Sequence, residues 1–445
     1  MQALARFITY VLPVAIVLAM GKVQAAYVAS VTFNYFPSSV FVWGIVYGLI
    51  LGLVAYAFGL PEVPLGNGKA LGMALAVSVA AAGIMSVLQL LAGRPLTGRF
   101  VIFGSAAVAV PLQVGASYLA NRGRSRAEAR ERVVLVGGAA EAEQLRIDLA
   151  ISPERASSLA DFVDIAEQVE GSQSRAIVEM VELEGASVLV LDNSALDLPW
   201  VVDQAAELHE RGVRIRTLLE FYEEWLAKLP VGELERESLF FDISEIHRVQ
   251  YARTKRVIDL VCAVVGLVPL GLVIPGVLVL NLVANRGPLL FKQDRVGRGG
   301  TIFKIRKFRT MSPSTTVGGA GQWTAEDDPR ITPFGKFMRV THIDELPQVI
   351  NILKGELSIV GPRPEQPHYV DQLNEKLPFY NMRHLVRPGL TGWAQVKYGY
   401  ASDERDALQK LQYEFFYLRR QGIWFDLRIM FRTIRSTLGG EGSGR

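Results

Sequence analysis

Residues 257–285 read VIDLVCAVVGLVPLGLVIPGVLVLNLVAN. The run is long and apolar enough for a membrane helix, which needs about 20 such residues, yet Pro269 and Pro275 interrupt it. Proline removes a helical hydrogen bond and crowds the turn before it, so a segment like this need not cross straight through. The flanks carry the decision. HRVQYARTKR (247–256) precedes the run and RGPLLFKQDRVGRGG (286–300) follows it, and a full crossing puts one of these basic clusters on the outer face. A hairpin across 257–285 that enters and leaves at the cytoplasmic surface satisfies both, with a fifth true span as the alternative. Asp259 is costly deep in lipid and is expected to pair at the interface with Lys255 or Arg256.

Toward the amino terminus the sequence reads as membrane. Between Arg6 and Glu62 the only charge is Lys22, which leaves room for spans near 7–29 and 38–60. The uncharged stretches 70–93 and 101–120 give a third and a fourth. A cleaved leader ending at VQAA (23–26) competes for the first, but its basic region is a single arginine and more spans follow. NRGRSRAEARER (121–132) then marks the cytoplasmic side by its arginines, although Arg94 and Arg99 fall outside on this topology. The chain has 445 residues, half of them hydrophobic, with a net charge of +3 and one cysteine, Cys262. That balance gives no bulk attraction to nucleic acid, so no nucleic-acid partner is expected. The lone thiol excludes an internal disulfide and any zinc site built on several cysteines.

From residue 133 the pattern changes. VVLVGG (133–138) and ASVLVLDN (186–193) read as buried strands, AAEAEQLRIDLA (139–150) as a helix, and GVRIRTLLEFYEEWLAKL (212–229) as strand then helix. Alternation of this kind predicts a parallel α/β domain. Gly137 and Gly138 invite a dinucleotide, but the fingerprint needs three spaced glycines, and here two are followed by Glu141 and Glu143, which repel a pyrophosphate. A structural, Rossmann-like domain is the better reading. The rival, a membrane-tethered NAD-dependent nucleotide-sugar enzyme, also needs a Tyr-x-x-x-Lys pair, and the domain has none.

THIDELPQVINILKGELSIVGPRP (341–364) holds the chemistry or an ordinary helix start. Leu346, Val349, Ile350 and Leu353 recur at helical spacing, so a helix begins near Asp344 with Pro347 in its first turn. Thr341 or Asp344 could cap it, and carboxylates favour a helix amino terminus. The surroundings favour a reaction centre. Lys307 in FKIRKFRTM, Arg339 in GKFMR, Arg363 in GPRP and Arg387 in HLVRPGLTGWAQV are cations set beside glycine or proline, and arginine suits bidentate binding of phosphate. Among them, Asp344 and Glu345 suit Mg²⁺, which prefers carboxylate and phosphate oxygens, and attack on phosphorus. The residues alone thus describe a membrane-associated, metal-assisted phosphoryl-transfer enzyme.

The ordered motifs KRVIDL, GPLLFKQDRVGRGG, FKIRKFRTM, DPRITPFGKFMR, IDELPQVINILKGELSIVGPRP, RPGLTGWAQV and YEFFYLRRQGIWFDLRIMFRTI span roughly 253–436. Here the chain resembles the bacterial sugar transferases, the polyprenyl-phosphate glycosyl-1-phosphate transferases, in their large form. The resemblance implies a membrane protein with an α-helical bundle (1–121), an α/β Rossmann-like domain (122–250) and a mostly α catalytic domain with a reentrant helix at 257–285 (251–437), while the composition of GGEGSGR predicts a disordered tail (438–445). It implies transfer of a sugar-1-phosphate from a nucleotide diphosphate sugar, a UDP-sugar, to undecaprenyl phosphate at the cytoplasmic face of the bacterial inner membrane, opening exopolysaccharide or capsule synthesis. By the same resemblance Asp344 is the nucleophile, Glu345 assists with Mg²⁺, the phosphates are bound by Lys307, Arg339, Arg363 and Arg387, and Pro275 breaks the reentrant helix. Two positions depart from the family's usual pattern. His342 and Ile343 stand where Ser-Leu is common, and Glu414 stands where aspartate is common. A homodimer is compatible with the sequence, which specifies neither the sugar nor the polymer. An inactive scaffold of polysaccharide export is the non-enzymatic rival, against which the intact DELP, GPRP and RPGLTGWAQV speak.

Overall fold

The computed structural model describes residues 2–27, 38–61, 67–128, 131–151, 155, 157–165, 175–231, 245–282, 287–311, 330–398 and 404–438. The chain divides into two compact units, one of residues 1–130 with 434–439 and one of residues 131–433 with 440–445.

In the first unit the expected helices are present. They cover 2–27, with a π-helical turn at Phe7–Val11, then Ser39–Ala57, Asn67–Ala92 and Arg99–Glu128. Each contains a segment long and apolar enough to cross a membrane: Ala3–Tyr27, Ser39–Tyr56, Ala70–Leu90 and Arg99–Ala120. Within an apolar phase, helices associate by close packing rather than by hiding from solvent. Gly48 and Gly52 supply that closeness, since a Cβ on either would stand 2.5 Å from backbone of the first helix, at Val14 Cα and Tyr10 O respectively.

In the second unit, Arg132–Gly137 (β1), Ser158–Asp164 (β2), Val188–Leu191 (β3) and Arg214–Thr217 (β4) form an all-parallel sheet in the order β2-β1-β3-β4. The two central strands of such a sheet bury both faces, so β1 and β3 read as continuous apolar runs, while the edge strands β2 and β4 carry charges and are largely half-buried. Val134 and Val136 pack toward helices Ala176–Glu184 and Pro199–Glu210, while Val133 and Leu135 pack toward helix Ala139–Ile151 and the helical turns of 218–226. The glycine turn after β1 is filled by acid. A Cβ on Gly137 would lie 2.6 Å from Asp192 Oδ2, and one on Gly138 would lie 2.5 Å from Glu141 Oε2.

The sheet domain is joined to the rest of its unit through 227–231. Ala227 takes a left-handed conformation (φ 53°). Leu229 and Val231 then bury among Trp393, Leu411 and Phe415, and Trp393 Nε1 donates to Ala227 O at 2.8 Å. Lys228, fully buried, pairs with Asp148 at 2.6 Å and donates to Gln409 Oε1 at 2.7 Å. A buried cation is tolerated only with its charge and hydrogen bonds met.

The remainder is built around an antiparallel hairpin, Leu290–Val296 (β5) with Ile302–Phe308 (β6), and a short parallel pair, Ser358–Val360 (β7) with Gly389–Thr391 (β8). The apolar segment that opens it is helix Glu245–Leu280. Both Pro269 and Pro275 lie inside this one helix. A proline costs its own hydrogen bond and crowds one turn, and packing can hold the helix through it. Ala263 packs with Phe303, Ile305 and Ile352, and Leu270 and Val277 with Phe308, Met338 and Val349. Along the same side, a Cβ on Gly266 would meet Val349 Cγ1 at 2.9 Å. Val261, Val265, Val268, Leu272 and Val279 are exposed. Asp259 also departs from expectation. Its Oδ1 accepts from Ser358 Oγ at 3.0 Å and Ile359 N at 2.9 Å, while Lys255 pairs with Asp426 and Arg256 donates to Ile352 O and Leu353 O. The tail beyond Leu438, and Asp328 and Pro329 of the DPR motif, lie outside the described residues.

Candidate active site

Three short elements bring the sequence-predicted residues together. β6 buries Phe303 and Ile305 on one face and Phe308 on the other, and Lys307 follows Phe303 and Ile305 along the first face. Helix Pro333–Val340 starts cleanly, with Pro333 in its first turn and Thr332 Oγ1 accepting from Gly335 N at 2.9 Å. Gly335 is required there, because a Cβ would lie 1.9 Å from Thr310 O. That close approach fixes Arg339, whose Nε donates to Thr310 Oγ1 at 3.0 Å. His342 then turns the chain in a left-handed conformation (φ 54°), and Ile343–Gln348 follow as a 3-10 turn leading into helix Val349–Lys354.

This is the helix start anticipated near Asp344, yet neither suggested cap operates. His342 stands at the cap position with no side-chain cap bond, and the Thr341 hydroxyl donates backward to Phe337 O and Met338 O. The acidic pair faces cations instead. Lys307 Nζ donates to Glu345 Oε1 at 2.5 Å, and Arg363 Nη2 reaches the same oxygen at 3.4 Å. Burial would raise the Glu345 carboxyl, but Lys307 and Arg363 override it and hold it down at about 2. Asp344 is only 7% exposed, and among the described residues no group hydrogen-bonds its carboxylate. Burial first and the neighbouring Glu345 charge second push it up to about 6, against the pull of Lys307, Arg339 and His342. Two adjacent carboxylates thus have opposite characters: one a permanent, neutralised anion, the other a poorly solvated one.

Arg387 is placed apart from this cluster. Its Nε donates to Gly355 O at 3.1 Å, and its charged surroundings are Arg256, Arg298 and Asp259. Arg256 also binds the carboxyl end of helix Val349–Lys354, so two arginines converge on one helix terminus. Pro275 belongs to the long helix and carries no polar contact with the pair.

Several contacts of the site have no counterpart in the sequence reading. Arg295, on β5, donates to Pro364 O at 3.0 Å and stands near Arg363 and Glu345. Buried Arg383 pairs with Glu414 through two bonds, 2.8 and 2.6 Å, and also donates to Arg363 O. Lys410 faces Glu365, Arg363, Glu414 and Arg383, and burial lowers its ammonium to about 8. Only the arginine-rich motifs hint at Arg295; the distance in sequence between Arg383 and Glu414 hides their pairing.

Among the described residues no cluster of three or more His, Cys, Asp or Glu is placed to hold a metal. The available donors are Asp344 and the Glu345 oxygen that the cations leave open. That set is too small for an all-protein cage. It suits Mg²⁺, which is commonly bound by one or two carboxylates together with substrate phosphates and water.

The sequence model for bacterial sugar transferase matches residues 250–440. The chain is 44% identical over 193 residues to the UDP-N-acetylgalactosamine-undecaprenyl-phosphate N-acetylgalactosaminephosphotransferase of Aeromonas hydrophila, covering 43% of this chain and 45% of that protein. It is 38% identical over 183 residues to the UDP-glucose:undecaprenyl-phosphate glucose-1-phosphate transferase of Xanthomonas campestris pv. campestris, covering 41% of this chain and 38% of the relative. It is also 38% identical over 197 residues to a protein of that description from Caulobacter vibrioides, covering 43% of this chain and 72% of the relative. The match thus spans less than half of the first two relatives and most of the third.

Proposed function

Since the chain belongs to the bacterial sugar transferase family, we propose that it moves a sugar-1-phosphate from a UDP-sugar to undecaprenyl phosphate, releasing UMP, in polysaccharide synthesis. The observation that carries this reading is the asymmetry of the acidic pair. Among the described residues, the Asp344 carboxylate has no hydrogen-bond partner, and it lies beside a Glu345 already neutralised by Lys307 and Arg363. A carboxylate stripped of water and of donors is a stronger nucleophile than a solvated one.

The Asp344 oxygen attacks the phosphorus bonded to the sugar. The bond from that phosphorus to the bridging oxygen breaks, and UMP leaves with the electron pair. An oxygen of undecaprenyl phosphate then attacks the same phosphorus, and Asp344 departs as carboxylate. Lys307, Arg339 and Arg363 offset the charge that spreads over the phosphoryl oxygens. Asp344 and Glu345 are the residues that would hold Mg²⁺, which when bound adds charge neutralisation at the diphosphate. Arg387, with Arg256 and Arg298, is set for a second phosphate group, such as that of the lipid.

The membrane arrangement follows the same logic. Helix Glu245–Leu280 packs its Ala263, Leu270 and Val277 side along the catalytic core and exposes valines and leucines opposite. We read it as lying in the cytoplasmic leaflet of the inner membrane, so that the lipid phosphate and the soluble donor reach one site. The α/β domain is read as Rossmann-like in layout and without dinucleotide, because Asp192 and Glu141 fill its glycine turn.

The test is UMP release by membranes containing the protein, with undecaprenyl phosphate, Mg²⁺ and a panel including UDP-N-acetylgalactosamine and UDP-glucose. Lipid-dependent UMP that disappears in Asp344→Asn supports the reading and names the sugar. UMP that persists in the variant removes Asp344 from the nucleophile's role.

A further inference from the structure

The loop GPRP is held in a way that assigns a role to Arg383, which lies outside the motifs that carry the resemblance, and to its partner Glu414. Pro362 and Pro364 have no N–H, so this loop cannot be anchored by their donors. Its carbonyls are captured instead, four in succession. Gly389 N donates to Pro362 O at 2.8 Å, Arg383 Nη2 to Arg363 O at 2.9 Å, Arg295 Nη1 to Pro364 O at 3.0 Å, and Val296 N to Glu365 O at 2.9 Å. Two of these donors are backbone and two are guanidinium groups. Arg383 is itself immobilised: Nε and Nη2 bind the two Glu414 oxygens, Nη1 binds Tyr380 OH, and both charged residues are buried.

An ordinary structural ion pair between two elements would account for the Arg383 and Glu414 contact, but not for the third bond. The same guanidinium that satisfies Glu414 holds the carbonyl of the one residue in the loop whose side chain reaches Glu345. We propose that Arg383, locked by Glu414 on helix Glu404–Arg419, is a positioning residue that fixes the backbone of Arg363 so that its side chain stays on Glu345 and the transferred phosphate. This rests on the functional reading above. The reach from Arg363 Nη2 to Glu345 Oε1 is 3.4 Å, near the limit of a hydrogen bond, so a small shift of the loop is enough to lose it.

The decisive experiment is a double-mutant cycle on sugar-phosphate transfer by the full-length protein in membranes. Arg383→Gln should lower kcat on the order of 100-fold, the cost of a misplaced charged group, with a much smaller change in KM for the UDP-sugar. In an Arg363→Gln background the same change should lower kcat by less than about 3-fold, since the group it positions is already gone. Glu414→Gln should behave like Arg383→Gln, and Glu414→Asp should recover part of the rate. Equal losses of kcat in both backgrounds would overturn the proposal. Hydrogen exchange at the amides of Gly361, Arg363 and Glu365 gives a readout independent of turnover. Faster exchange there in Glu414→Gln, with β5 and β6 unchanged, supports the clamp, and unchanged exchange contradicts it. A wild-type protein without transfer would sink the functional reading alone, and the exchange result would still decide the clamp.

Discussion

Two buried aspartates at helix starts, Asp192 and Asp344, look alike in the sequence and do different things. Asp192 follows strand β3, caps the helical turn Asn193–Leu196 and is 6% exposed. Its Oδ1 accepts from Ala195 N at 2.6 Å and Ser194 Oγ at 2.8 Å, so its charge is spent on local donors as a helix cap. Asp344 is buried to the same degree, yet no donor among the described residues engages it, and Lys307, Arg339 and His342 bear on it only through charge. The first aspartate stabilises a fold. The second is kept at a cost to stability, and that cost is the mark of a site.

The comparison can be broken most easily by exchanging the two residues for asparagine. Asp344→Asn should reduce transfer by more than about 10³-fold, as expected when a nucleophile is removed. Asp192→Asn should leave the rate within about 2-fold and change stability by no more than about 0.5 kcal/mol, because the asparagine oxygen still accepts from Ala195 N and asparagine caps about as well as aspartate. Comparable losses from both would erase the distinction. Next in size, Lys307→Met should lower kcat roughly 100-fold by removing a charge that bears on both carboxylates.

The pH dependence sharpens the same point. Transfer needs Asp344 ionised, so the rate should rise with pH and level off above about 6. Lys307→Met withdraws a charge that favours the carboxylate, so its acid limb should move to higher pH; a shift downward would contradict the electrostatics.

Stability gives the smallest effect. The raised Asp344 contributes stability below its unfolded value of 3.8, and this is lost as pH rises through about 6. At neutral pH the buried charge therefore costs about 3 kcal/mol, each tenfold change in proton affinity being worth about 1.36 kcal/mol. Glu345 runs the other way: its stabilisation is present above 4.5 and is lost as pH falls toward about 2. Asp344→Asn should accordingly raise Tm at pH 7.5, with the gain shrinking as pH falls toward 4. A variant destabilised at pH 7.5 would show that Asp344 serves the fold.

How far the sequence can be read follows from what kind of information each feature needs. The four amino-terminal helices are legible because uncharged length is a local property. So is the DELP pair among cations, because its partners Lys307 and Arg363 lie in motifs of their own. The course of 245–280 is not: the packing of Ala263, Leu270 and Val277 on the core is a tertiary fact that the two prolines do not announce. Asp259 reads as a partner for nearby cations, and a β7 hydroxyl and amide about a hundred residues away claim it instead. Arg387 reads as another phosphate ligand beside the pair, whereas Gly355 O holds it at the end of the catalytic helix. The clamp of Arg383 and Glu414, and the burial of Leu229 in the catalytic core, depend on contacts between distant segments and leave no pattern in one chain.

The most direct test of the central claim is to look for the sugar-phosphate on Asp344. Purified protein is incubated with the UDP-sugar it uses, in the absence of undecaprenyl phosphate, and quenched in acid for peptide mass spectrometry and UMP quantification. The account predicts a burst of UMP stoichiometric with enzyme, with the added mass on the peptide that contains Asp344 and on none in Asp344→Asn. UMP released only when the lipid is present, with no adduct on Asp344 at any time, would contradict it.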